Sequence, residues 1–243
     1  MQRIKLTIEY DGTNYLGWQS QKNKQTVQDA IEHALQILFK RQIRITAAGR
    51  TDAGVHARNQ VAHLDIPEYN LYRLKHSLNG LLKKDIVIKD IQNCTKEFHA
   101  RFDAISRKYC YYISQEPLAI SRSFVWPFYF PVNVSLMQTG AHLIEKHEDF
   151  KAFCKPKSDV KNYNCQIHKS KWFYKGNILV YEIAANRFLH GMVRAVVGTL
   201  IALGQGKIDL NYFMHILKSG DRTKIPLTAP AQGLVLENVI YPD

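Results

Sequence analysis

From residue 3 to residue 9, apolar and polar side chains alternate with the period of two that a half-buried strand requires. Thr26-Val27-Gln28-Asp29, followed by Ile31, Ala34, Leu35 and Leu38, changes the period to that of a helix and opens it with a capping-box pattern. Residues 43–47 and 60–66 read as two further strands around a glycine-rich turn. Leu71, Leu74, Leu78 and Leu81 mark one face of a second helix, and residues 86–91 close the run with a strand. Strand, helix, strand, strand, helix, strand is the ferredoxin-like order.

The order returns in the second half with longer insertions. A strand is expected at 108–114, a helix near 135–146, strands near 166–174 and 178–184, a helix from about 188 to 203, a short helix near 210–218 and a last strand at 234–240. The chain is therefore expected to divide into an N-terminal half, residues 1–104, and a C-terminal half, residues 105–243. No Pro/Gly-rich linker separates them near residues 104–107, so the halves are expected to pack together and share a cleft. Residues 117–131, rich in aromatics, and 154–165, rich in Lys and Asn, read as long loops of the kind that carry function.

Composition narrows the class of molecule. A chain of 243 residues with 46% hydrophobic and 22% charged residues has a globular balance, which excludes a disordered or fibrous protein. The longest uncharged apolar stretch, residues 195–204, is too short to span a bilayer, and the N-terminus runs into a strand pattern in place of a signal-peptide core. A soluble cytoplasmic protein is the expectation. Cys94, Cys110, Cys154 and Cys165 match neither a zinc motif nor a disulfide framework, which implies reduced thiols. Lys and Arg outnumber Asp and Glu by 33 to 21, a formal charge of +12. Such an excess favours nucleic acid as a partner through counterion release, with a merely solvated basic surface as the plainer reading.

Three segments hold residues suited to chemistry. Gly49-Arg50-Thr51-Asp52-Ala53-Gly54-Val55-His56 packs two glycines around an Asp at a loop tip, which suits close approach to a ligand. It equally describes a tight turn in which Asp52 caps a backbone N–H or pairs with Arg50. Over residues 188–203 the sequence is apolar on most of a helix, with Arg194 as the only fixed charge and His190 one turn before it. A buried Arg requires an anion: Asp52, an RNA phosphate, or Glu182 or Glu237 in a structural pair. In Arg107-Lys108-Tyr109-Cys110-Tyr111-Tyr112, Tyr109 and Tyr111 share one strand face; basic residues beside aromatics suit stacking on unpaired bases, while half-buried packing is the alternative for at least one ring. His56, His63, His99 and His190 lack metal-ligand spacing, and no P-loop, dinucleotide fingerprint or Ser/His/Asp order is present.

Taken in order, these residues resemble the tRNA pseudouridine synthase A (TruA) family. The match is carried by Tyr10-Asp11-Gly12, Gly17-Trp18-Gln19-Ser20-Gln21, Thr26-Val27-Gln28, Gly49 through Ala57 with Gln60-Val61, Phe98-His99-Ala100-Arg101-Phe102 and Arg107-Lys108-Tyr109. It continues through Asp149-Phe150, His190-Gly191-Met192-Val193-Arg194 with Val197-Gly198, and Ala229-Pro230-Ala231-Gln232-Gly233-Leu234, nearly end to end. The resemblance implies an α/β fold of two ferredoxin-like βαββαβ halves side by side around a central basic cleft. It implies an enzyme that isomerises uridine to pseudouridine at positions 38, 39 and 40 of the tRNA anticodon stem-loop, without cofactor or metal, as a homodimer in which one tRNA touches both subunits. By position, Asp52 would be the catalytic carboxylate, Arg194 its partner, Tyr109 the ring stacked on the target base, and Arg50 the side chain filling the space left by the flipped nucleotide. Gly191 departs from the bulkier residue that the family resemblance leads one to expect there, and residues 151–159 depart from a Ser/Cys-rich version. A silent tRNA-binding module would be marked by loss of Asp52, Tyr109 or Arg194, and all three are present. A related synthase acting at another RNA position remains a third reading.

Overall fold

The computed structural model describes residues 1–156 and 160–242. In chain order the elements are β1 (Gln2–Tyr10), α1 (Val27–Phe39), β2 (Thr46–Ala47), β3 (His56–Ile66), α2 (Leu71–Leu81) and β4 (Ile86–Asn93). They are followed by β5 (Ser106–Ser114), β6 (Trp126–Pro127), α3 (Val134–Glu145), β7 (Ile167–Lys175), β8 (Ile178–Ala185), α4 (Met192–Gly204), α5 (Leu210–Ser219) and β9 (Leu234–Ile240). The order strand-helix-strand-strand-helix-strand thus occurs twice, with β6 and α5 as insertions in the second round, and the fold is mixed α/β as expected. Two compact units emerge: Met1–Ile105 together with Val235–Asp243, and Ser106–Leu234.

In the first unit β1 is the central strand, antiparallel to β3 on one side and to β4 on the other. Its inward side chains, Ile4, Leu6 and Ile8, are fully buried, as the alternation in sequence requires. The other edge of β3 is shared: β2 pairs with its later part, at Ala62 and His63, and β9 runs parallel to its start, at His56 and Ala57. The helices begin where their caps dictate. Thr26 Oγ1 accepts from the Asp29 N–H at 3.2 Å to start α1, and Asn70 Oδ1 accepts from the Arg73 N–H at 3.0 Å to start α2. One expectation fails in extent: the strand expected over 43–47 shrinks to two residues. Side chains of α1 take the backbone groups a ladder would use, with Glu32 accepting from the Ile45 N–H at 3.1 Å and the Gln28 amide donating to the Ile45 carbonyl at 3.4 Å.

In the second unit β8 lies between β5 and β7, antiparallel to both, with Tyr109 opposite Ile183 and Tyr111 opposite Tyr181. Helix α3 packs on β7 and α4. Helix α4 is buried along nearly its whole length, which explains its apolar sequence. The long loops expected at 117–131 and 154–165 are more ordered than their composition suggests. The first contains a 3-10 turn, Arg122–Phe124, and β6, which pairs in parallel with the end of β5. The second is fastened by Phe150 N to Tyr163 O and Cys165 N to Glu148 O bonds of 3.1 and 2.9 Å; residues 157–159 of that loop, and of the divergent segment 151–159, lie outside the described residues. Burial pushes the Cys165 thiol up to about 11, which makes it unreactive. Among the described residues no helix is long and apolar enough to cross a membrane.

Candidate active site

The loop joining β2 to β3 carries Arg50 and Asp52. Its start is tied to β3 by Ala48 N to Val61 O (2.8 Å) and by the Gln60 amide donating to the Gly49 carbonyl (2.9 Å). Its tip is closed by the Val55 N–H donating to the Asp52 carbonyl at 3.1 Å. The segment after β1 then holds it from outside. The Tyr10 hydroxyl bonds Thr51 Oγ1 at 2.8 Å, the Trp18 N–H donates to the Thr51 carbonyl at 3.1 Å, and the Gly54 N–H donates to the Tyr15 carbonyl at 3.2 Å. The Gly12 N–H donates to His56 Nδ1 at 3.1 Å; Asp11 Oδ1, at the same distance from that nitrogen, accepts from the Thr13 N–H and hydroxyl.

Two glycines make this approach possible. A Cβ on Gly12 would lie 2.0 Å from the Val55 carbonyl oxygen, and one on Gly17, whose φ is +88°, would lie 2.5 Å from that of Thr51. Thr51 and Val55 are buried, Asp52 is half-buried and Arg50 is exposed. The geometry therefore fixes the Asp52 backbone without sequestering its side chain. The roles of Tyr10, Gly12, Gly17 and Trp18 have no signal in composition or period; two glycines five residues apart, Gly12 and Gly17 on either side of Tyr15, are the available signal.

Arg194 lies in the first turn of α4, half-buried. The helix starts four residues later than its periodicity suggests, because Gly191 adopts a φ of +69° and serves as the N-cap. His190 consequently sits in the preceding turn, exposed, and is not one helical turn below Arg194 as expected. The Gly191 departure from the family pattern falls at this left-handed position. Arg194 is braced by a reciprocal pair of bonds: its Nε donates to the Ala229 carbonyl at 2.7 Å and its own carbonyl accepts from the Ala229 N–H at 3.0 Å. Gly198 allows this close approach, since a Cβ there would lie 2.1 Å from the Leu227 carbonyl oxygen. The structural anions considered for Arg194 have other cations: Glu182 pairs with Lys169, and Glu237 with Arg58 at 3.2 Å.

Nearby, the Tyr111 hydroxyl donates to the Pro230 carbonyl at 2.7 Å, and burial pushes its pKa far up against the opposing charge of Arg194, so it stays neutral. Arg222 donates to the Phe153 carbonyl and to Thr228 Oγ1, at 3.1 and 3.0 Å; burial lowers its pKa, as does, to a smaller extent, the charge of Arg194. Of the strand tyrosines, Tyr111 is core at 0% exposure, as expected of at least one, while Tyr109 is 8% exposed with its ring edge-on to Phe188 at 5.2 Å. The structure thus brings Arg50 and Asp52 together in the first unit and sets Tyr109 and Arg194 in the second. His56 and His63 are buried acceptors of backbone N–H groups, and among the described residues no group of His, Cys, Asp and Glu is placed to hold a metal.

A model of the tRNA pseudouridine synthase family matches residues 6–103 and 145–242. The segments include Asp52 and Arg194 and omit Tyr109. The chain is similar over its full length to the tRNA pseudouridine synthase A of Porphyromonas gingivalis, 39% identical over 100% of this chain and 98% of that protein. It is 40% identical to that of a Geobacillus species over 98% of both chains, and 41% identical to that of Ruminiclostridium cellulolyticum over 99% of this chain and 100% of the relative.

Proposed function

This chain belongs to the tRNA pseudouridine synthase family, and we propose that it isomerises uridine to pseudouridine at positions 38, 39 and 40 of the anticodon stem-loop, with Asp52 as its catalytic carboxylate. The observation that carries this reading is the mount of Asp52: a loop tied at its start to β3 and clamped from outside, holding one half-buried carboxylate within a segment that matches the family. The reaction breaks the N1–C1′ bond, turns the uracil and forms a C5–C1′ bond; the C5 hydrogen leaves as a proton and N1 takes one up. No net oxidation or hydrolysis occurs, so the chemistry demands a held base and one ionised carboxylate. Addition to the ring, attack at C1′ and removal of a ribose proton are all open to such a group.

The remaining residues take roles suited to their settings. The target base must leave the stack; Tyr109 holds it by stacking, worth about 1 to 3 kcal/mol per base in single-strand binders. Arg50, exposed on the same loop as Asp52, fills the vacated space. Arg194 is the partner of Asp52 in the reaction, its Nε bonded to the Ala229 carbonyl. Arg222, whose hydrogen-bond partners are both neutral, adds a second cation near Arg194 for the RNA backbone. We read the working form as a cytoplasmic homodimer in which one tRNA touches both subunits.

Tritium release from tRNA transcripts labelled at C5 of uridine, without added cofactor, tests the proposal. Wild type releases label at positions 38–40. Asp52→Asn releases none while binding the transcript within a few-fold of wild type. Turnover by Asp52→Asn would remove the carboxylate from its role, and release from other uridines alone would replace the target.

A further inference from the structure

The motif Phe98-His99-Ala100-Arg101-Phe102 has no part in the chemistry above, yet the structure holds it firmly. The Ala100 N–H donates to His63 Nδ1 at 3.1 Å and its carbonyl accepts from the Tyr241 hydroxyl at 2.7 Å. The Asp103 carboxylate accepts from the His99 N–H at 2.7 Å, and the Asp103 N–H donates to the His99 carbonyl at 3.0 Å. His99 Nδ1 accepts from the N–H groups of both Arg101 and Phe102 at 3.2 Å. On this pinned turn the rings form a ladder: His63 to His99 at 4.8 Å, then His99 stacked on Phe102 at 4.3 Å and 28°. Phe102, the outermost rung, is 74% exposed. The Arg101 guanidinium lies 5.7 Å from its centroid.

We propose that Phe102 is a stacking platform for an unpaired base of the bound RNA, with Arg101 placed for the adjoining phosphate. The inference rests on the tRNA reading and extends it to a nucleotide other than the target. His63, which anchors the turn, lies seven residues along β3 from His56, where the Asp52 loop ends; at about 3.3 Å per residue that is roughly 23 Å along the strand. A phenyl ring held flat on another ring, with its outer face in water and a cation beside it, matches the recognition of a splayed base. A protein partner suits this surface less. In the sequence around the ring, Lys96, Glu97, Arg101 and Asp103 are all exposed charges, and Ile105, at 52% exposure, is the one other exposed large apolar side chain from residue 94 to 105, a composition that does not favour an apolar interface core.

The test compares wild type with Phe102→Ala, Phe102→Leu and Phe102→Trp, reading affinity for an unmodified tRNA transcript alongside tritium release. Phe102→Ala weakens binding at least about fivefold, Phe102→Leu does the same, and Phe102→Trp restores it, while melting temperatures match because the ring is exposed. Equal affinity for wild type and Phe102→Ala overturns the inference and leaves the tRNA reading standing. So does full rescue by Phe102→Leu, which would mark a plain apolar contact, or a halved mass of Phe102→Ala in light scattering, which would mark a contact between copies. A wild type that binds no tRNA overturns both readings.

Discussion

Asp52 and Arg194 are fixed by opposite means. Asp52 belongs to no regular element; its loop keeps its shape because a second segment, residues 10–18, lies against it and exchanges backbone and hydroxyl bonds with it. Arg194 belongs to a buried helix whose backbone is set by its own ladder, and Ala229 braces its guanidinium through Nε. A loop mount spreads its stiffness over several weak contacts and depends on how closely two backbones approach. A helix mount takes its stiffness from the helix's own ladder. The two should therefore fail differently: the first through residues that never touch substrate, the second through the chemistry of the arginine itself.

Gly12→Ala is the most direct way to break the first mount. The new Cβ would start 2.0 Å from a backbone oxygen, so the two segments must separate. We expect a stability loss of about 2–4 kcal/mol and, from displacement of Asp52 by a fraction of an ångström to an ångström, a fall in kcat/KM of about 100-fold. Denaturant unfolding beside tritium release checks both, and an active Gly12→Ala variant would mean the clamp is not what positions Asp52.

The helix mount is probed by Arg194→Lys, which keeps the charge and loses the Nε brace. A charge-assisted hydrogen bond of this kind corresponds to about a 10- to 100-fold loss, expected in kcat with little change in tRNA affinity or stability. Equal activity of the lysine variant would show that charge alone suffices and that the brace to Ala229 is incidental. Smaller still is Tyr10→Phe, which removes one of the clamp's bonds and leaves Thr51 Oγ1 without it, for about 1–2 kcal/mol of stability. A loss of activity with stability unchanged would place the hydroxyl in the reaction instead.

The same contrast explains what could be read from the sequence. Elements whose side chains pack on one face announce themselves: the alternation of β1 and the leucines of α2 foretell both elements, and the apolar run around Arg194 foretells α4. What stays hidden is decided by backbone approach. The start of α4 depends on one positive φ at Gly191, and β2 is short because Glu32 and Gln28 occupy the backbone of Ile45. The clamp on the Asp52 loop uses N–H groups and carbonyls that every residue carries, so composition and spacing single out Asp52 and Arg194 only as candidates and give no hint of the contacts that Tyr10 and Gly12 make. For Tyr109 the alternation gives the strand face, and the edge contact with Phe188, which follows β8, has no sequence signal.

Acid separates the two units last and least. Imidazole nitrogens accept backbone N–H bonds in the first unit, at His56 and His63, whereas the brace on Arg194 contains a guanidinium and amides. Burial, with the neighbouring His99 and the charge of Arg3, lowers the pKa of His63 below the ordinary histidine value. The unfolded chain therefore binds the proton more readily than the folded one, and stability falls as the pH drops through about 6.5, the unfolded value. Asp65, held low chiefly by its hydrogen bond from Arg3, is lost only at far more acid pH, so it does not contribute in this window. The protection factor of the Ala100 amide should decline from about pH 7.5 to about 5.5 while that of the Ala229 amide stays level. His63→Gln, whose side-chain oxygen can accept the same bond, should flatten the first profile; equal decline at both amides would show that acid loosens the chain as a whole and not the imidazole-bonded turn.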